Sequence, residues 1–231
     1  MALEDLTSGD YTLENSDGSL SRTSSRVTAT GIRRDDNDYL VRDFGEGAFG
    51  EDWTHRFELY ITSVENTSIA YFNDLDSRLG DQTNRTGAGS TLLSYFAILE
   101  NSAGVDYITI ENGISGQISN DSWAYTDSPA PATGTLYYVE QIYTKSTGIY
   151  ITTFKTGGYS GTLRKTLTVD TDSAENVFRY YYPVSARGQA PTSAPAMSFY
   201  IQNIDLGLAT GIARPKVNGR NGLVNGGLVA A

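Results

Sequence analysis

Residues 135–170 read TLYYVEQIYTKSTGIYITTFKTGGYSGTLRKTLTVD, and the segment continues through NVFRYYYPVS (176–185) to MSFYIQNIDL (197–206). Five strand-like runs lie between Thr135 and Leu206: Leu136–Tyr143, Ile149–Lys155, Thr162–Val169, Val177–Tyr182 and Met197–Leu206. Tyrosine, threonine, valine and isoleucine fill them, and these side chains suit a pleated, half-buried surface. Lys145–Gly148, Thr156–Gly161 and the polar Asp170–Asn176 segment supply turn material between the runs. Thr162–Val169 alternates most clearly, with Leu163, Leu167 and Val169 on one face and Thr162, Arg164, Thr166 and Thr168 on the other. A period of two is what a strand buried on one side requires. The spacing predicts an antiparallel meander.

Working back toward the N-terminus, Asp10–Glu14, Arg26–Ile32, Tyr39–Phe44, Trp53–Thr62, Ser68–Phe72, Leu92–Leu99 and Tyr107–Ile110 read as further strands. In Trp53–Thr62, Trp53, His55, Phe57, Leu59 and Ile61 share one face, while Thr54, Arg56, Glu58, Tyr60 and Thr62 share the other. Asn73–Ser90 and Asn120–Gly134 read as long loops, and no window shows helical spacing. The chain is predicted to be all-β, an antiparallel sandwich of two packed sheets.

The order of a Tyr-rich strand, the hairpin GIYITTFKTGG, the strands LRKTLTVD and FRYYYPV, and a closing FYIQNIDLG resembles the concanavalin A-like (laminin G/lectin-type) jelly roll over about residues 10 to 207. The resemblance implies that fold and a tendency toward glycan or protein binding. It carries over no catalytic residue. The division that follows is a sandwich over residues 1–207 and a C-terminal arm over 208–231.

At 231 residues the chain suits one large β domain and can bury a core without staples. It has no cysteine, hence no disulfide and no thiolate nucleophile or metal ligand. With 27 acidic against 17 basic side chains, the formal charge of −10 argues against nucleic acid as a partner. No apolar run reaches the about eighteen residues of a membrane span. The opening MALEDLTSGDYTLENSDG has no basic start followed by an apolar stretch. Synthesis in the cytoplasm without a signal peptide is therefore expected. Sequons at Asn66, Asn84 and Asn120 are then read as chance.

Gly45–Gly50 matches G-x-G-x-x-G, but a strand rather than a helix follows, and Glu46 and Glu51 would repel phosphate. It reads as a turn. His55, the only histidine, would have to serve any Ser-His-Asp triad, yet it lies on the Trp53/Phe57 core face without a G-x-S-x-G elbow. Glycosidases of the resembling fold carry carboxylates at alternate positions of one strand, a spacing not found here. Glu58 and Glu140 each stand alone, and Asp74 and Asp76 lie at a loop entry, although distant carboxylates can still converge in space. Asp35–Asp38 offers oxygens for calcium, with Asp36 and Asp38 as the ligand candidates. Asn120, Asp121, Trp123 and Tyr125 form the sugar-binding candidate, a loop aromatic for stacking on a pyranose beside hydrogen-bonding groups.

Beyond Gly207 the composition shifts to Gly, Asn, Val and Leu with no acid. Val217, Leu223, Val224, Leu228 and Val229 are the expected anchors of an assembly arm on another copy of the chain or another particle protein. The sequence is thus read as a non-enzymatic structural protein of a phage or virus particle, a capsid decoration or tail-associated component, located in the virion or an extracellular particle. The alternative is a free carbohydrate-binding lectin-like module, and the third reading a glycoside hydrolase or lyase.

Overall fold

The computed structural model describes residues 3–33, 35–45, 47–65, 68–80, 94–102, 105–114, 117–124, 127–170, 178–186 and 196–208, with the backbone alone for 94–107 and 110–120 within those ranges. The strands are β1 (Tyr11–Glu14), β2 (Leu20–Arg22), β3 (Arg26–Arg33), β4 (Tyr39–Asp43), β5 (Trp53–Val64), β6 (Ile69–Asp76), β7 (Ser94–Ser102), β8 (Val105–Ile114), β9 (Gln117–Ala124), β10 (Leu136–Thr144), β11 (Ile149–Thr156), β12 (Thr162–Asp170), β13 (Tyr180–Ser185) and β14 (Ala196–Asp205). They form two seven-stranded sheets, ordered β1-β4-β13-β6-β7-β8-β9 and β12-β11-β10-β5-β14-β3-β2. Every pairing is antiparallel. The all-β, two-sheet jelly roll expected from the alternation is the observed fold, and no helix occurs among the described residues.

The core lies between the sheets. Along β5 burial alternates without a break from Trp53 to Ile61, with Trp53, His55, Phe57, Leu59 and Ile61 inward. Phe57 of the second sheet meets Phe72 of the first edge-on at 6.2 Å, and Phe72 meets Phe199 at 6.3 Å. Each such fully buried ring contributes roughly 1.5–3 kcal/mol from apolar burial. At the N-terminal edge, Arg42 pairs with Glu4 in a nearly solvent-free setting and covers Phe44 with its guanidinium.

Three expectations are corrected. The meander holds for β10-β11-β12, but β13 crosses to the first sheet between β4 and β6, and β14 returns to the second between β5 and β3. Local alternation specifies strands, whereas partner choice depends on contacts far along the chain. Leu163 is 55% exposed, because a register shift at Phe154/Lys155 sets it opposite Lys155 on the outer face. Asn120–Ala124, read as loop, belongs to β9, which pairs with β8 from Tyr107↔Ala124 to Ile114↔Gln117.

Candidate functional site

The residues of β5 that do not enter the core point outward from the second sheet, and their cross-strand partners do the same. Register sets Tyr138 and Gln202 on either side of Glu58, Glu140 and Asp205 on either side of Arg56, and Leu136 and Tyr200 on either side of Tyr60. Glu58 is the centre of this face. Its Oε2 accepts from Gln202 Nε2 at 2.6 Å and its Oε1 from Asn203 Nδ2 at 3.0 Å. Both amides reach it because β14 shifts register between Gln202 and Asp205, where Asn203 adopts a left-handed backbone with φ 53°. A non-glycine residue held there marks a place where the surrounding structure dictates the backbone.

Rings border the carboxylate on both sides. Tyr60 and Tyr200 stack nearly parallel, 5.0 Å apart, and the Arg26 guanidinium covers Tyr200 at 4.1 Å while donating to Gln202 Oε1. On the other side, Tyr159 folds back from the β11–β12 hairpin, meeting Tyr138 edge-on at 5.4 Å with Arg56 over its ring. Its phenol is pushed upward by partial burial first, then by the negative charge of Glu58, with Asp205 and Glu140 adding and Arg56 opposing. Arg56 is itself held by Glu140 at 2.7 Å. All of these side chains are partly or wholly open to solvent. The result is a surface of aromatic rings, carboxylate acceptors and oriented amides, the chemistry that suits a polyhydroxylated ligand.

The carboxylates Glu58 and Glu140, isolated in sequence, are thus brought to adjacent strands of one face. Sequence reasoning missed Tyr60, Tyr200, Arg26, Gln202 and Asn203 as companions of Glu58. The signal was the outward parity of β5, whose pairing with β14 only the fold supplies.

Trp123, the ring expected to stack on a sugar from a loop, does not lie on the surface. Trp123 is wholly buried, packed on Tyr137 and Phe154 with ring centroids 5.3 Å away in each case, and its Nε1 donates to the Pro129 carbonyl at 2.7 Å. It offers no face to a sugar, because strand parity turns it into the core. Asp121 instead ties β9 to the edge of the second sheet, its Oδ2 accepting from Thr168 N at 2.9 Å. Asn120 sits opposite Glu111 in the β8–β9 pair, and Tyr125 lies outside the described residues.

The calcium candidates serve the chain's own turns. Asp38, fully buried, accepts from Asp17 N, Ser19 N and Ser19 Oγ at 2.6–2.9 Å. Asp36 accepts from Arg33 N at 2.8 Å, and burial raises its carboxyl above the usual range. Among the described residues no group of three or more histidine or acidic side chains is placed to hold a metal. Asp74 and Asp76, expected at a loop entry, lie within β6 and are buried opposite Tyr182 and Tyr180. Within the glycine-rich motif, residues 47–50 form a turn closed by Gly50 N donating to the Gly47 carbonyl, with Gly45 and Gly47 left-handed. His55 lies in the core, stacked on Trp53 at 3.9 Å, with its imidazole pushed down to about 3 by burial. The arm anchors Val217, Leu223, Val224, Leu228 and Val229 lie outside the described residues.

In sequence the chain matches no protein-family profile and no curated protein. In structure it is similar to the legume lectin-like domain from Entamoeba histolytica (TM-score 0.54, 9% identity, 85% of this chain and 88% of that one). It is also similar to lectin II from Ulex europaeus (TM-score 0.50, 10% identity, 88% and 96%). The binding domain of botulinum neurotoxin DC, solved with SialylT, aligns at a TM-score of 0.51 and 13% identity, covering 86% of this chain and 43% of that one. The fold is that of the legume-lectin-like jelly rolls. The likeness spans nearly the whole sandwich.

Proposed function

We propose that the protein is a carbohydrate-binding, lectin-like module, and that sugars rest on the outer face of the second sheet around Glu58. The observation that carries this reading is the Tyr60–Tyr200 platform beside a carboxylate whose two oxygens are oriented by Gln202 and Asn203. Tyr200 is covered by Tyr60 and by Arg26, so in this reading the C–H face of a pyranose rests on the face of Tyr60 turned away from Tyr200, and the neighbouring acceptors and donors meet its hydroxyls. Similarity of fold to proteins named as lectins supports the reading. In this reading Glu58, held by two amides, and Glu140, held by Arg56, serve as hydrogen-bond acceptors. The rival, a virion component, draws no support from the described residues, since the arm on which it depends lies outside them.

A glycan array followed by calorimetric titration tests the proposal. Tyr60→Ala and Glu58→Gln are expected to weaken the best ligand about tenfold or more each, or about 1.4 kcal/mol. Unchanged affinity in both variants, or no glycan bound by the folded protein, would overturn it.

A further inference from the structure

A band of polar side chains crosses the interior of the sandwich. On the inner face of the second sheet, register lines up Thr152 of β11, Gln141 of β10 and His55 of β5. All three are buried. From the first sheet, Asn73 donates its Nδ2 to Gln141 Oε1 at 2.8 Å, joining the layers. Tyr181 of β13 meets the His55 ring edge-on at 6.1 Å, and Trp53 stacks on that ring at 3.9 Å. Phe49 closes a further side, also edge-on, at 5.7 Å.

Five atoms of this band find no hydrogen-bond partner among the described residues: His55 Nδ1 and Nε2, Trp53 Nε1, Tyr181 Oη and Asn73 Oδ1. Buried polar groups are nearly always satisfied, by protein or by ordered water, and leaving one bare costs about 1–3 kcal/mol. So many bare groups side by side would consume much of a domain's stability of about 5–15 kcal/mol. Their chemistry is also balanced. A neutral imidazole provides one donor and one acceptor, the indole a donor, the phenol both, and the amide oxygen an acceptor. Water, which makes about three hydrogen bonds when buried, complements this mixture of donors and acceptors.

We propose that the sandwich holds an internal water site between its sheets, bounded by His55, Trp53, Tyr181 and Asn73. The bound water completes the hydrogen bonds of a neutral imidazole and links β5 of one sheet to β6 and β13 of the other. It therefore helps fix how the two layers align, and lies on the opposite side of β5 from the sugar-facing surface.

Two measurements decide it. A crystal structure at atomic resolution is expected to show ordered water within about 3 Å of at least two of these side chains. Clear density for the side chains with none between them would overturn the proposal. Tyr181→Phe gives a sign test. If its hydroxyl binds water, its loss leaves that water short of a partner, and the melting temperature falls by about 2–4 °C for each kcal/mol lost. If the hydroxyl is bare, its removal relieves a penalty, and a melting temperature that rises or stays level refutes the site.

Discussion

Asn203 reaches Glu58 with its side-chain amide at 3.0 Å from a backbone held at φ 53°. Asparagine tolerates the left-handed region better than most residues, and here its side chain is used as well. Asn203→Ala should lose both advantages and cost about 1–3 kcal/mol in urea denaturation. Asn203→Gly, free of the backbone penalty, should cost less while weakening the ligand similarly. Equal stability of the two variants would disprove the strain at this position.

Acid should destabilise the fold through His55. Its imidazole titrates at about 3 when folded, against 6.5 as the ordinary value, because burial disfavours the charged form. Above pH 6.5 it is neutral in both states and contributes no pH dependence. As pH falls below 6.5 the unfolded chain takes up a proton that the folded chain refuses, so stability declines until about pH 3. The slope from this group is on the order of 1 kcal/mol per pH unit. Denaturation of wild type and His55→Phe across this window should show that slope in the first and its loss in the second.

The sandwich was legible from residue alternation wherever a strand buries one face, and β5 shows it residue by residue. What alternation could not convey was which sheet a strand joins: β13 and β14 are neighbours in sequence but lie in different layers. The surface around Glu58 was hidden for the same reason, since Gln202 and Asn203 are far from Glu58 along the chain and meet it only through a register shift. Trp123 misled because a tryptophan flanked by Asn, Asp and Ser looks like an exposed loop aromatic, and only the β8–β9 pairing reveals its inward parity.

Trp123→Ala should therefore act on stability. Removing a wholly buried indole that packs on Tyr137 and Phe154 should cost about 3–5 kcal/mol. Trp123→Phe should cost less and leave ligand affinity unchanged in titration. A folded Trp123→Phe protein that no longer binds glycan would return this residue to the binding site.

The polar face crosses β11, β10, β5, β14 and β3, whose spacing of about 4.8 Å gives a width of roughly 20 Å. That is room for several sugar units in a row. Affinity should rise with oligosaccharide length and then level off, as read by titration with a graded series. A single sugar that binds as tightly as the longest chain would confine the contact to the Tyr60–Tyr200 platform.

The placement of the last two strands also governs when this protein can fold. β13 sits between β4 and β6, and β14 between β5 and β3, so each sheet stays split until these two strands are available. On the ribosome, a nascent chain ending before Tyr180 has each sheet split in two with unpaired inner edges, the kind of exposed strand that invites association with other chains. Productive folding of the sandwich must wait until β14 has been made, and because its pairings are long-range it should be slow. Expression yield should accordingly depend more on temperature and chaperone supply than on any single surface residue.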